Sequence, residues 1–346
     1  AGEAHFQAIG CADCHTPALP SPRGLIPLYS DLLLHDMGPE HADGISMGMA
    51  GPSEFRTTPL WGVAVTGPFM HDGSAMSLHD AIAAHGGEGE RSRDAYLALS
   101  QAERGEVIAF LESLGGAEVA TAGLILPGDD PAPGEYGGPL PGLSAEELAR
   151  FRAGRLLFDK DHGYEDGVGP FFNGDSCRAC HFDPVPGGAG PLGLNVQRTG
   201  VYAADGSFSA PEGGTLLPRH TVPGLVRPEV PAAAVFELRQ TPTTLGLGVL
   251  EAIPAESIIA LADPDDLDGD GIAGVAHILP DGRLGRFGWK NQIVNVRDFV
   301  GDALRFELGM TVPESMGITT AITEDDDAIL DPEIPAVEVD ALTFYL

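Results

Sequence analysis

At the centre of Gly167–Gly190, GVGPFFNGDSCRACHFDPVPGGAG, stand Cys177, Cys180 and His181 in the spacing C-x-x-C-H. This is the pattern of covalent c-type haem attachment. Two thiols three residues apart form thioethers to the two vinyl groups of one porphyrin, and the following histidine ligates its iron. A single copy could equally be a redox C-x-x-C. A second copy, Cys11-Ala12-Asp13-Cys14-His15, removes that ambiguity, because the two motifs use all four cysteines of the chain. No thiol remains for a disulfide, a zinc cluster or a nucleophile, and the expected cofactors are two covalently bound haem c groups.

Working outward, a chain of 346 residues can bury one large core or, as is expected here, two smaller ones. Its 47 glycines and 29 prolines predict long irregular loops, as when a prosthetic group replaces part of a core. No run of 18 apolar residues is present, so no membrane span is expected. No basic, apolar leader starts at Ala1, so any export signal is expected to have been removed or left out. Haem attachment of this type takes place outside the cytoplasm, so the expected location is periplasmic or extracellular. The net charge of −32 argues against nucleic acid and anionic lipid as partners. It would steer a cationic redox protein, or simply keep the protein soluble, as in high salt.

Three stretches organise the rest. Residues 1–114 form a first domain, 115–143 a Gly/Pro-rich linker and 144–346 a second domain. Helices are expected over Glu3–His15, from Ser77, over Gln101–Leu114, from Ser144 and over Ala255–Ala262. Ser77 with Asp80 and Ser144 with Glu147 supply capping acids. Leu78, Ile82 and His85 share one helical face before Gly86-Gly87. His85 is therefore the choice for sixth ligand of the His15 iron, with Met37, Met70 and His71 as rivals. Two imidazoles would close that iron to substrates and make it an electron-transfer centre.

The His181 motif has no such partner. The next histidine is His220, 39 residues on in a Pro-flanked loop, and no methionine follows before Met310. An iron with an open face is the expectation, and an open face is what peroxide chemistry needs. Such a pocket also needs an acid–base group. Glu251, in the apolar run GLGVLEAIP, is the first candidate because burial would raise its pKa, and Glu256 is the second. Trp61 and Trp289 read either as electron-hopping stations beside the haems or as core packing. Asp266, Asp268 and Asp270 match the first half of an EF-type calcium loop, but position twelve is His277 where glutamate is required. A non-EF calcium loop and a solvated acidic turn both remain open.

Taken together, these stretches resemble the bacterial di-haem oxidoreductase family, related to the di-haem cytochrome c peroxidases and the MauG-type enzymes. The likeness is carried by the opening stretch, RQTPTTLGLGVLEAIP, ADPDDLDGDGIAG and GRFGWK. In the first domain it is carried by CADCHTP, YSDLLLHDMGP, FRTTPLWGV, FMHDGSAMSL and AIAAHGG. The resemblance implies a mainly α fold of two cytochrome-c-like haem domains, with long loops and few short strands. It also implies a low-spin haem in 1–114 and a high-spin, peroxidatic haem in 144–346, and it too places the distal ligand at His85. In that family the unit matching 144–346 precedes the unit matching 1–114, so the halves here stand in reversed order. A circular permutation, a segment spanning adjacent repeats and a numbering artefact each account for this.

The expected activity is reduction of hydrogen peroxide, with electrons passed from a small redox protein through the His15/His85 haem. Two alternatives are a MauG-like oxidase of a protein or organic substrate and a non-catalytic electron-transfer module of a multihaem assembly. An oligomer or a neighbouring repeat is an expected partner of either.

Overall fold

Two helices lead into the C-x-x-C-H motifs, and each is crossed by another helix at a glycine. The computed structural model of the chain describes residues 1–115, 130–211, 213–325 and 327–346. Residues 116–129 of the expected linker lie outside them. Among the described residues the α-helices are α1 (Gly2–Ala8), α2 (Leu78–Ala84), α3 (Glu90–Ala98), α4 (Gln101–Glu112), α5 (Ala145–Asp159), α6 (Leu247–Glu251), α7 (Ala255–Ile259), α8 (Val296–Ala303) and α9 (Ala336–Tyr345). The chain packs as two units, Ala1–Glu118 with Val249–Val294, and Val119–Gly248 with Asn295–Leu346.

In the first unit α1 crosses α4. A β-carbon on Gly2 would stand 2.0 Å from the Glu106 carbonyl oxygen, so only glycine lets the backbones meet. Four residues on, Phe6 is buried against Phe110, with ring centroids 5.3 Å apart, and lies 6.3 Å from the His15 ring. Val63, Tyr96, Val107 and Leu111 complete this core. Helix α4 starts where the sequence signals it, at a capping box between Ser100 and Glu103. The segment Val249–Val294 belongs here because its polar groups are satisfied here. The Asn291 amide donates to the Leu32 carbonyl at 2.8 Å, and Leu34 bridges Val275. The sequence had grouped this segment with the second domain.

The second unit repeats the plan. Its helix α5, opened by the Ser144/Glu147 capping box, crosses α9. A β-carbon on Gly154 would lie 2.1 Å from the Ala341 carbonyl oxygen. Again four residues on, Phe158 packs on Tyr345 at 5.3 Å and stands 6.3 Å from the His181 ring. The described part of the linker packs against the same unit, where Asp130 pairs with Arg155 at 2.9 Å. Beside the helices lies a four-stranded antiparallel sheet. Val196–Tyr202 is flanked by Ala234–Arg239 on one side and by Phe208–Ser209 and Leu216–Leu217 on the other.

That sheet and several two-stranded ribbons overturn the mainly α expectation. Helix makes up 32% and strand 13%, a mixed α/β composition. Runs such as VQRTGVY and AVFELR carry β-branched and aromatic residues between Gly and Pro breaks, which favours strands over helices. No helix among the described residues is long and apolar enough to cross a membrane.

Candidate functional site

The four cysteines are free of disulfides. Burial pushes the Cys11 and Cys177 thiols up to about 12 and Cys180 up to about 11. Thiols so strongly neutral are poor nucleophiles and poor ligands for a free metal ion. They suit conversion to thioethers, which carry no charge.

Both motif histidines are prepared in the same way. His15 Nδ1 donates to the Tyr29 carbonyl at 2.9 Å, and His181 Nδ1 donates to the Pro242 carbonyl at 2.8 Å. Burial holds both rings down to about 4, so each is a neutral imidazole. With the proton fixed on Nδ1, the lone pair is on Nε2, as an iron ligand requires. The residues present therefore fit covalently attached haem at both motifs.

His85 shows the same preparation in the first unit. It caps the C-terminus of α2, which starts at Ser77, whose hydroxyl accepts from the Asp80 amide. Its Nδ1 donates to the Ala81 carbonyl at 2.8 Å, and burial lowers its pKa. His85 stands close enough to His15 to depress that ring further. The rivals lack this hydrogen-bonded preparation among the described residues. His71 stacks on Phe55 at 4.2 Å and 22°, while Met37 and Met70 are half-buried.

Around the His181 motif the structure gathers a different set. Carbonyls of a π-helical turn, Leu304–Leu308, receive hydrogen bonds from the GPFFNGDS segment (169–176) that leads into Cys177. Gly169 N reaches Leu308 O at 3.0 Å, and Asn173 N reaches Glu307 O at 2.7 Å. This ties Glu307 to the haem motif, and its charge is felt at both Cys177 and Cys180. Burial pushes Glu307 up to about 7 against the opposing pull of Arg198 and Arg219, with Asp302 adding to the rise. Arg219 also faces Cys180, while Arg198 is shared between Glu307 and Asp302.

Glu307 was not foreseen. Its signal was present, since Val296, Val300, Leu304 and Leu308 recur every four residues behind Asn295, whose side chain caps the Asp298 amide. No helix is among those expected over this segment. Glu251 and Glu256, the two candidates from the sequence, are both exposed and belong to the first unit. Arg286 feels the charge of both and donates to the carbonyls of Leu250 and Glu251, both at 3.1 Å. The burial expected of Glu251 is absent. Trp61 and Trp289 are half-buried in that same unit, and the Trp289 carbonyl accepts from Arg56 N. Asp266, Asp268 and Asp270 offer oxygens within 4.8 Å of one another. His277 does not join them, since its Nδ1 donates to the Lys290 carbonyl at 2.6 Å.

The family described as "Di-haem oxidoreductase, putative peroxidase" matches residues 1–114 and 232–331. The His15 motif, His85 and Glu307 fall inside these stretches, and the His181 motif lies between them. Over 118 residues the chain is 30% identical to the methylamine utilization protein MauG of Methylorubrum extorquens. That alignment covers 30% of this chain and 31% of the relative. No solved structure matches the chain significantly.

Proposed function

The chain belongs to the di-haem oxidoreductase family, and from that premise we propose that it reduces hydrogen peroxide at the His181 haem with electrons received through the His15/His85 haem. The observation that carries this reading is the inequality of the two centres. His15 has a second prepared imidazole beside it, whereas the His181 motif has a half-buried carboxyl group, Glu307, that feels the charges of Arg198 and Arg219.

When bound at Cys177, Cys180 and His181, haem supplies the iron on which peroxide is cleaved. His181 is held as a neutral ligand by the Pro242 carbonyl. Glu307 would carry the proton: its carboxylate would accept one from one oxygen of the peroxide and return it to the other, which would leave as water. Two electrons and two protons convert one peroxide to two waters. Arg198 and Arg219 oppose the burial penalty and keep Glu307 close to neutral pH, where it can both accept and release a proton.

The donor is a small cationic redox protein, and the site of action is the periplasm or the extracellular space. Calcium would be held by Asp266, Asp268 and Asp270. Spectroscopy of the holoprotein tests the central claim. One low-spin and one high-spin haem are expected, the latter alone responding to peroxide. Two low-spin haems indifferent to peroxide would overturn it. The likeness to MauG favours a second reading, oxidation of a protein or organic substrate by the same haem pair. Product analysis with peroxide, with and without the candidate substrate, separates the two.

A further inference from the structure

The segment SDLLLHDMGP (Ser30–Pro39) is not used by the chemistry above, yet it forms the bed on which the His85 turn lies. A β-carbon on Gly87 (φ +51°) would stand 2.1 Å from the Asp36 carbonyl oxygen, and one on Gly86 2.8 Å from that of Met37. Two backbones touch there, and glycine is required on one side. The contact is locked by ions. His35 Nδ1 lies 2.6 Å from Glu88 Oε2, and His35 Nε2 lies 2.9 Å from Asp31 Oδ2. The same Nδ1 is 3.7 Å from Cys14 Sγ. Glu88, three residues beyond His85, also accepts from Asp36 N and Ala273 N, both at 3.0 Å.

The side chains of His35 and Asp31 are each 4% exposed and that of Glu88 12%, so this is a largely buried ion triad. Such triads are costly to desolvate and add little net stability over apolar packing, but they fix one geometry. With a carboxylate at each nitrogen, the ring is an imidazolium, a double donor that cannot slide to another register. What it joins is specific: the segment beside Cys14 on one side and the turn carrying His85 on the other.

We propose that the Asp31–His35–Glu88 bridge is a latch that fastens the His85 turn beside the Cys14 motif and so keeps His85 on the iron. This rests on the bis-imidazole reading of that centre. His35 and Glu88 are positioning residues that act through His85, and an intact latch keeps this haem six-coordinate and closed to added ligands.

Holoproteins carrying His35→Gln, Glu88→Gln and His85→Ala decide the matter, read by electron paramagnetic resonance and by carbon monoxide binding to the reduced protein. His85→Ala should turn the first haem high-spin and open it to carbon monoxide. His35→Gln and Glu88→Gln should each raise the five-coordinate fraction of that haem by roughly 10- to 100-fold, the worth of a charged hydrogen bond. Both haems should remain covalently attached and the second haem's signal unchanged. Added imidazole should restore the low-spin signal. If both latch variants keep the wild-type spectrum while His85→Ala changes it, the latch is refuted and the bis-imidazole reading stands. If His85→Ala changes nothing, that reading itself falls. Should His35→Gln not mature, Glu88→Gln decides alone, because it keeps the shape of the side chain and an acceptor oxygen for Asp36 N.

Discussion

Gly154 and Ala341 meet backbone to backbone, so closely that a β-carbon on the glycine would lie 2.1 Å from the alanine's carbonyl oxygen. Gly154→Ala must push α5 and α9 apart and loosen Phe158 from Tyr345. A loss of roughly 1–3 kcal/mol is expected, read as a lower unfolding midpoint. Gly105, inside α4 with nothing within 4 Å of its β-position, is the opposite case. Gly105→Ala should stabilise by about 0.5–1 kcal/mol in the same assay. Equal effects of the two changes would show that the crossing is not set by contact.

Glu307→Gln should lower peroxide turnover by roughly 10²- to 10⁴-fold while leaving both haems attached. The wild-type rate should climb as pH rises through about 7, where the carboxylate forms, and the variant should lack that limb. Stability runs the other way. The folded value of about 7 lies above the 4.5 of an unperturbed glutamate, so the folded state binds this proton more tightly. That contribution is full below pH 4.5 and is lost as pH rises towards 7, and Glu307→Gln should flatten this part of the stability–pH curve. A rate profile that keeps its limb in the variant would remove Glu307 from the proton path.

Lys290 is fully buried, with its ammonium 3.6 Å from Asp43 and donating to the carbonyls of Gly51 (2.6 Å) and Glu54 (2.9 Å). Lys290→Met leaves Asp43 without its buried countercharge and should cost about 3–5 kcal/mol. Adding Asp43→Asn should recover part of that loss. A denaturant series on the single and double variants measures the coupling, and strict additivity would show that the pair does not interact.

The net charge of −32 makes a rate prediction. Reduction by a basic donor protein should slow by roughly tenfold or more from low salt to about 0.5 M salt, as steering is screened. A donor whose rate ignores ionic strength would show that its docking is not electrostatic.

Much of the first centre was legible in sequence because its determinants are local. The C-x-x-C-H spacing, the Ser77–Asp80 cap and the 78/82/85 face each span only a few residues, though the motif and the helix are far apart in the chain. What was not legible depended on distance along the chain. Gly2 and Gly154 look ordinary until α4 and α9 arrive more than a hundred residues later. Glu251 sits among apolar neighbours in sequence, but Leu250 and Ile253 turn inward while Glu251 is exposed. Glu307 had a helical period behind it, overshadowed by the prolines and acids that follow. Few short strands were expected, but the pairing of Val196–Tyr202 with the distant Ala234–Arg239 was not legible because the two are far apart in the chain.

His15, His85 and His181 all give their second nitrogen to a main-chain carbonyl, of Tyr29, Ala81 and Pro242. A carbonyl belongs to every residue, so no single side-chain substitution at those three positions deletes the partner. The preparation of these ligands is therefore buffered against mutation. The two centres can diverge in evolution only through what surrounds the rings, a carboxyl group in one unit and a fastened imidazole in the other.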